Sequence, residues 1–421
     1  MINRAKAVII GGGIAGTSVA ANMAKHRKFE PGDVFLVEAH QGYGQGTTSI
    51  AAGMFSNTMM DSENLIRLNK GGMEGALKFK ETFGSDLYFK RCGNLLLALT
   101  DEDAFKCEKQ AELQNRYGID TQILTRREVE EQFPFINATE IKAAMYCGND
   151  GYIDVREMVD GYVRYAKQRG VTMRPHTWVD GIEPIDSGGF AVSIKSKIGE
   201  RIDEDMILTE KVVNAAGALA PEVSGWVGVQ LPIDLWTRDI WSVRVNNLGS
   251  RGRELFPLVA IEGKGHQHQH SYIRRDGDRF LVGVGPMRKF EGEITDFNMQ
   301  VPPEGGEEVG KFVENFFPGA EIENMNGHAA IRAHAAVRAH PTTNEGGPLL
   351  GPYQEEKNLK GFIECNGMGG HGIQWAPKIG EDVADFIMEG KISGEMEIFS
   401  PVKEAIPLIN FEGKQRSRIE G

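Results

Sequence analysis

Cysteine is scarce. Cys92, Cys107, Cys147 and Cys365 are the four in 421 residues, and none forms a C-x-x-C pair or a zinc spacing. Neither a disulfide framework nor a structural metal is expected, and a reducing, cytoplasmic compartment fits. Basic residues are in deficit, 47 Lys and Arg against 59 Asp and Glu, for a formal charge of -12. Nucleic acid, which recruits Lys and Arg to neutralise phosphates, is not an expected partner. No apolar run approaches the ~18 residues of a transmembrane segment. The first run, residues 7–10, meets glycine at once and is too short for a signal-peptide core. Internal repeats and low-complexity linkers are also missing. What is left is the composition of a globular enzyme, 41% hydrophobic and 25% charged, in a chain long enough for two or three domains. Residues 416–421 read as an expression-vector remnant ending in a protease site.

Glycine, by contrast, is abundant at 52 residues. Ala7-Val8-Ile9-Ile10 reads as a strand buried on both faces. Gly11-Gly12-Gly13-Ile14-Ala15-Gly16 follows, then an alanine-rich helix over 17–26 and a second buried strand over 34–37 ending at Glu38. This is one βαβ unit. Gly11 permits the tight turn, Gly13 lets backbone approach a pyrophosphate, and Gly16 allows close packing of helix on strand. The helix start then offers free N–H groups and a positive dipole end to phosphate. Glu38, 22 positions beyond Gly16, can accept both ribose hydroxyls, which argues against a 2′-phosphate and hence against NADP. FAD and NAD stay equally open on these residues.

The remaining chain reads as a glycine-rich turn over 42–53, helix to about 83, a strand over 94–99 and an amphipathic helix over 101–116. A helix over 155–168 leads to a strand over 171–173, alternating strands over 188–195 and 206–213, and a buried strand over 211–217. From 233 to about 331 the pattern is β-rich, with strands expected over 242–245, 268–274 and 280–284. A buried strand over 361–365, a glycine turn and a helix over 373–388 follow. His266, His268 and His270 alternate, so in a strand they share one face. No acid or thiolate accompanies them, and a polar patch is preferred to a metal site.

Four segments together resemble the D-amino-acid-oxidase-like superfamily of FAD enzymes, in the branch of sarcosine dehydrogenase, dimethylglycine dehydrogenase and glycine oxidase. They are the Val8 to Gly16 fingerprint with Glu38; Gly44-Gln45-Gly46-Thr47-Thr48-Ser49-Ile50-Ala51-Ala52-Gly53; Val212-Val213-Asn214-Ala215-Ala216-Gly217-Ala218; and Gly346-Gly347-Pro348-Leu349-Leu350-Gly351-Pro352 with Gly369-Gly370-His371-Gly372-Ile373. The resemblance implies an α/β (α+β) fold in which a Rossmann-like FAD-binding domain, 1–90, 148–228 and 342–415, is interrupted by a β-rich substrate-binding domain, 91–147 and 229–341. It implies FAD contacts from Gly11, Gly13, Ile14, Ala15, Gly16, Glu38 and Ala39, and from Gly46, Thr47, Thr48, Ser49, Ala51, Ala52 and Gly53 under the flavin. Ala215, Ala216 and Gly217 belong to the adenosine end, and Gly369, Gly370, His371, Gly372 and Ile373 to the flavin pyrimidine edge. Amides there stabilise negative charge arriving on the ring. Relatives with a covalent flavin carry histidine where Ile50 stands, or cysteine before Gly351; neither is present, so the FAD is expected to be non-covalent.

The same resemblance implies a small amino acid as substrate, secondary or N-substituted like sarcosine, dimethylglycine or proline, or glycine. Arginine suits its carboxylate because the guanidinium fork binds both oxygens. Arg338 is the expected residue and Arg332, on the same stretch, the alternative. Tyr272 is expected over the substrate, as a hydroxyl donor or as a sheet tyrosine. His371 acts through its position and backbone or through its side chain. Leu281 occupies the place of a lysine that assists oxygen in monomeric sarcosine oxidases, so the second electron acceptor is O2 or another compound. Two other readings remain: a flavin enzyme for a hydroxy acid or glycerol 3-phosphate, and one subunit of a hetero-oligomeric dehydrogenase. A homo-oligomer is equally compatible.

Overall fold

The computed structural model describes residues 2–247, 256–262, 270–285, 287–294, 297–335, 347–353 and 359–401. The first of its two large sheets is built on Ile2–Ile10, whose residues 7–10 are buried. Val34–Val37 pairs parallel on one side, placing Val37 opposite Ile10. Arg201–Asn214 pairs parallel on the other, placing Asn214 opposite Ile10. Thr172–Arg174 and Phe362–Asn366 extend this parallel set outward. Five strands therefore end along one edge, the place where sheets of this kind bind ligands. Phe190–Ile198 continues the sheet antiparallel to the first half of Arg201–Asn214, Thr177–Pro184 pairs antiparallel with Phe190–Ile198 in turn, and Leu349–Pro352 pairs with Phe362–Asn366.

Helices Ile14–Lys25 and Gly372–Glu389 both leave that edge and pack on each other, with the Ser18 hydroxyl donating to the Ala376 carbonyl at 2.7 Å. Among the described residues no helix is long and apolar enough to cross a membrane.

The second sheet has ten strands. Its path runs Asn298–Met299, Glu321–Ala335, Ile233–Asn246, Arg279–Gly283, Tyr272–Asp276, Leu258–Glu262, Asn94–Ala98, Ala143–Cys147 and Gln122–Thr125, with Arg288–Lys289 paired to Ile233–Asn246. One face packs Leu95, Leu97, Val243, Val259, Ile273 and Val282 into a core with helix Glu304–Phe316. The other face looks toward the carboxyl edge of the first sheet. The Thr47 hydroxyl ties the two bodies together by donating to the Ile331 carbonyl at 2.7 Å.

This mixed α/β arrangement is the one the sequence implied, with three corrections. Helix Glu304–Phe316 interrupts the stretch read as β-rich; its buried Val309, Phe312, Val313 and Phe316 have helical spacing, which the glycine pair before them obscured. The strand expected over 242–245 spans Ile233–Asn246. The strand expected over 268–274 begins at Tyr272, because His270 adopts φ +60° in an exposed turn. That conformation ends the alternation expected of the three histidines. His266 and His268 lie outside the described residues, and no cluster of metal ligands occurs among the described ones.

Candidate active site

The carboxyl edge of the first sheet and the cavity-side face of the second enclose a cavity of about 1480 Å³. That exceeds the ~300–1,000 Å³ of a drug-sized site and leaves room for a dinucleotide with a small substrate beside it. Of the residues expected to touch cofactor, Gly11, Gly13, Ile14, Ala15, Glu38, Ala39, Gly46, Thr47, Thr48, Ala51, Ala52 and Gly53 lie in its wall. So do Ala215, Ala216, Gly217, Gly369, Gly370, His371, Gly372 and Ile373. Gly16 and Ser49 do not. Gly16 is buried beneath the turn, where an added Cβ would fall 1.9 Å from the Gly11 carbonyl oxygen. Ser49 is exposed, and its hydroxyl donates back to the Gln45 and Gly46 carbonyls.

Two helix starts open on the cavity. Helix Ile14–Lys25 begins at Gly13 without a side-chain cap, its first amide donating to Thr48 Oγ1 at 3.1 Å. Helix Gly372–Glu389 begins after His371, again with no side-chain cap and no acid in its first turn. Helix starts left this way favour a bound anion or carbonyl. The His371 imidazole stacks on Trp375, centroids 4.9 Å apart.

At the far end, Glu38 is more engaged than its sequence role suggested. Its Oε2 accepts from the Gly12 amide at 2.6 Å, and its Oε1 accepts from the His40 amide at 2.8 Å and lies 2.6 Å from His40 Nδ1. The bond to Glu38 raises the His40 pKa against the lowering effect of burial. His40 also lines the cavity, and sequence reasoning missed it because nothing in the fingerprint marks the second residue after the acid.

The opposite end is polar and buried. Tyr272 is 7% exposed, lines the cavity, and its hydroxyl has no partner among the described residues. Asn94 Oδ1, Ser271 Oγ and Gln374 Nε2 are equally buried, unpartnered and in the same wall. Unsatisfied buried polar atoms are costly, so four in one cavity wall fit a bound polar ligand. Arg238 is buried in this wall, its guanidinium 5.7 Å from the Tyr272 ring centroid and donating to the Gly285 and His270 carbonyls. Sequence reasoning missed it, since Thr237-Arg238-Asp239 has no local signature. Arg338 lies outside the described residues. Arg332 sits opposite Trp236 on Glu321–Ala335, its side chain also outside the described part.

The turn Ser56 to Thr58 supports this end. Buried Asp150 accepts from the Asn57 amide at 2.8 Å, the Asn57 side chain at 2.7 Å and the Thr58 amide at 3.2 Å. Burial nevertheless pushes its carboxyl up to about 6. Ser56 in turn donates its amide to Gln374 Oε1 at 2.9 Å. A backbone N–H can only donate, so the Gln374 amide is oriented with Nε2 as the donor left without a partner among the described residues.

A parallel sheet with a glycine fingerprint, an acid at the second strand end and a large cavity defines a dinucleotide-binding oxidoreductase of the doubly wound type. The uncapped helix starts and orphaned polar atoms fit FAD. The family model described as DAO, FAD dependent oxidoreductase, matches residues 6–386, and the chain belongs to that family. It is similar to 4-methylaminobutanoate oxidase (formaldehyde-forming) of Paenarthrobacter nicotinovorans, 24% identical over 98% of this chain and 46% of that protein. Glycine oxidase of Geobacillus kaustophilus (strain HTA426) is 24% identical over 95% of this chain and 97% of its own length. The solved structure of L-proline dehydrogenase from P.horikoshii superposes with a TM-score of 0.76 at 25% identity, covering 95% of this chain and 98% of that one. The chain spans about half the length of the first of these relatives.

Proposed function

We propose that this chain oxidises a small amino acid at its C–N bond, with FAD bound non-covalently. One observation carries the reading. Three relatives matched along nearly the whole chain have names specifying substrates or products of one kind, 4-methylaminobutanoate, glycine and proline, each with an amine and a carboxylate. The buried Arg238 over the Tyr272 ring, whose hydroxyl has no partner among the described residues, supports it, since a cation and a donor in a buried wall favour a carboxylate. Arg338 is proposed to add to that charge.

In this reading segments 1–90, 148–228 and 342–415 hold the cofactor, and 91–147 and 229–341 hold the substrate. Bound FAD supplies the two-electron acceptor. The chain's own residues do the rest. Gly372 and Ile373 turn the start of their helix toward the cofactor and favour negative charge there. Tyr272 and Arg238 fix the carboxylate and thereby the C–H to be broken. Leu258 and Ala260, in the same wall, keep water out. The substrate would give up a hydrogen with its electron pair from carbon, leaving an iminium ion to which water adds, releasing a carbonyl compound and the amine or ammonia; the electron pair would pass on to O2 or another acceptor.

The test is anaerobic mixing of yellow protein with sarcosine, dimethylglycine, proline, glycine, lactate and glycerol 3-phosphate. Bleaching by one or more amino acids is expected. Bleaching by lactate or glycerol 3-phosphate alone would replace the reading.

A further inference from the structure

Asn94 begins strand Asn94–Ala98 and is 2% exposed. Its Nδ2 lies 2.5 Å from Ser56 Oγ and 2.6 Å from Thr58 Oγ1, and those two hydroxyls are 3.0 Å from each other. Only one orientation of the amide provides a proton for all three contacts. With Nδ2 toward the hydroxyls, it donates to both and one hydroxyl donates to the other. With Oδ1 toward them, both hydroxyl protons go to Asn94 and the third contact has none. Asn94 Oδ1 is therefore a fixed acceptor; it is fully buried with no partner among the described residues, on a residue that lines the cavity.

Sheet register shows what it faces. Asn94 pairs with Leu258, and Ala260 pairs with Tyr272. Residues 258 and 260 point to one side, so Asn94 and Tyr272 lie on the same, cavity-lining face, two strands across and two residues along, roughly 12 Å apart at the backbone. Tyr272 pairs with Gly283, which pairs with Ile240, placing Arg238 on that face as well. The row runs from a cation and a phenol, through small apolar side chains, to an amide oxygen. Ser56 also joins Asn94 to Gln374, so Asn94 stands next to the first turn of helix Gly372–Glu389.

We infer that Asn94 Oδ1 accepts the N–H of the substrate's reacting amine, and that the substrate is consequently a primary or secondary amine. This rests on the amino-acid reading above. The amine that reacts is neutral, because its lone pair must enter the new C=N bond. A neutral secondary amine keeps one N–H for Asn94 while its lone pair is free. A neutral tertiary amine has none, and protonation to make one removes the lone pair. As the C=N bond forms, nitrogen becomes positive and its N–H a stronger donor, so the bond to Oδ1 strengthens toward the transition state and raises rate as well as affinity.

Sarcosine and N,N-dimethylglycine share a carboxylate and differ in the N–H. Anaerobic reduction of the holoprotein by each gives a preference, the ratio of their second-order reduction rates. Wild-type protein should prefer sarcosine. Asn94→Leu and the smaller Asn94→Ala should slow sarcosine by ~10- to 100-fold and dimethylglycine far less, so the preference collapses. Asn94→Asp, which still presents an acceptor, should restore it. Equal reduction of the wild type by both compounds would overturn the inference without any variant, as would equal slowing of both compounds by Asn94→Leu, while leaving the amino-acid reading intact. Failure of every amino acid to bleach the flavin would overturn both.

Discussion

Gly11 has φ +102°, and an added Cβ would sit 2.4 Å from the Ala215 carbonyl oxygen. The left-handed conformation alone costs an L-residue ~1–2 kcal/mol, and the contact is with backbone that cannot move aside. Gly11→Ala should therefore separate the ends of Ile2–Ile10 and Arg201–Asn214 at the cavity wall, and purify with a clearly lower ratio of flavin to protein absorbance. A ratio equal to wild type would show that the turn has slack. Ile50 and Cys365 answer a different question at the same scale. Ile50, in the cavity wall, has no atom that bonds to flavin. Cys365, also in the wall, has its thiol pushed up to about 12 by burial, which suppresses the nucleophilic thiolate. Acid precipitation should release all the yellow colour into the supernatant; colour kept by the pellet would point to a covalent link.

At the scale of elements, helices Glu63–Leu77 and Gly372–Glu389 meet at Gly72, where a Cβ would lie 1.8 Å from the Gln374 carbonyl oxygen. Gly72→Ala must push the helices apart, at about 1–3 kcal/mol, and it moves the turn that carries Gln374. A lowered urea midpoint with an unchanged m-value is expected. A midpoint at or above wild type would mean the helices separate without cost. Elements of this kind differ in how far they were legible. The strands 7–10 and 34–37 and their glycine turn were readable because one local pattern, apolar run then glycine then helix, sets both geometry and cofactor. Ile233–Asn246 and Glu321–Ala335 were not, since pairing along their whole length, with a register shift at Arg244 and Val245, overrides weak local alternation. The polar end of the cavity was hidden for a stronger reason. Asn94, Ser56 and Gln374 meet across separations of 38 and 318 residues, and only the fold brings them together.

For the molecule as a whole, Glu364 is the group expected to tie the cavity wall to pH. It is buried on strand Phe362–Asn366 of the first sheet, accepting from Ser224 at 2.7 Å, Tyr353 at 3.0 Å and Asn366 at 2.9 Å. Asn366 in turn accepts from the Gly217 amide at 3.1 Å, in the cavity wall. Burial raises the Glu364 carboxyl to about 7, opposed by those hydrogen bonds. The unfolded chain holds the same proton with a pKa of ~4.3. Because the folded value is the higher one, this group's contribution is fully present below the unfolded pKa and is lost as pH rises through about 7. The loss is on the order of 3 kcal/mol. Wild-type protein should therefore melt at a lower temperature at pH 8 than at pH 5, whereas Glu364→Gln, uncharged throughout, should show a flatter profile from a lower starting point. Excess FAD should recover part of the loss at pH 8, since ligand that binds only the folded state stabilises it by mass action. Parallel melting profiles for wild type and variant would locate the pH dependence elsewhere, with His40 beside Glu38 the next group to test.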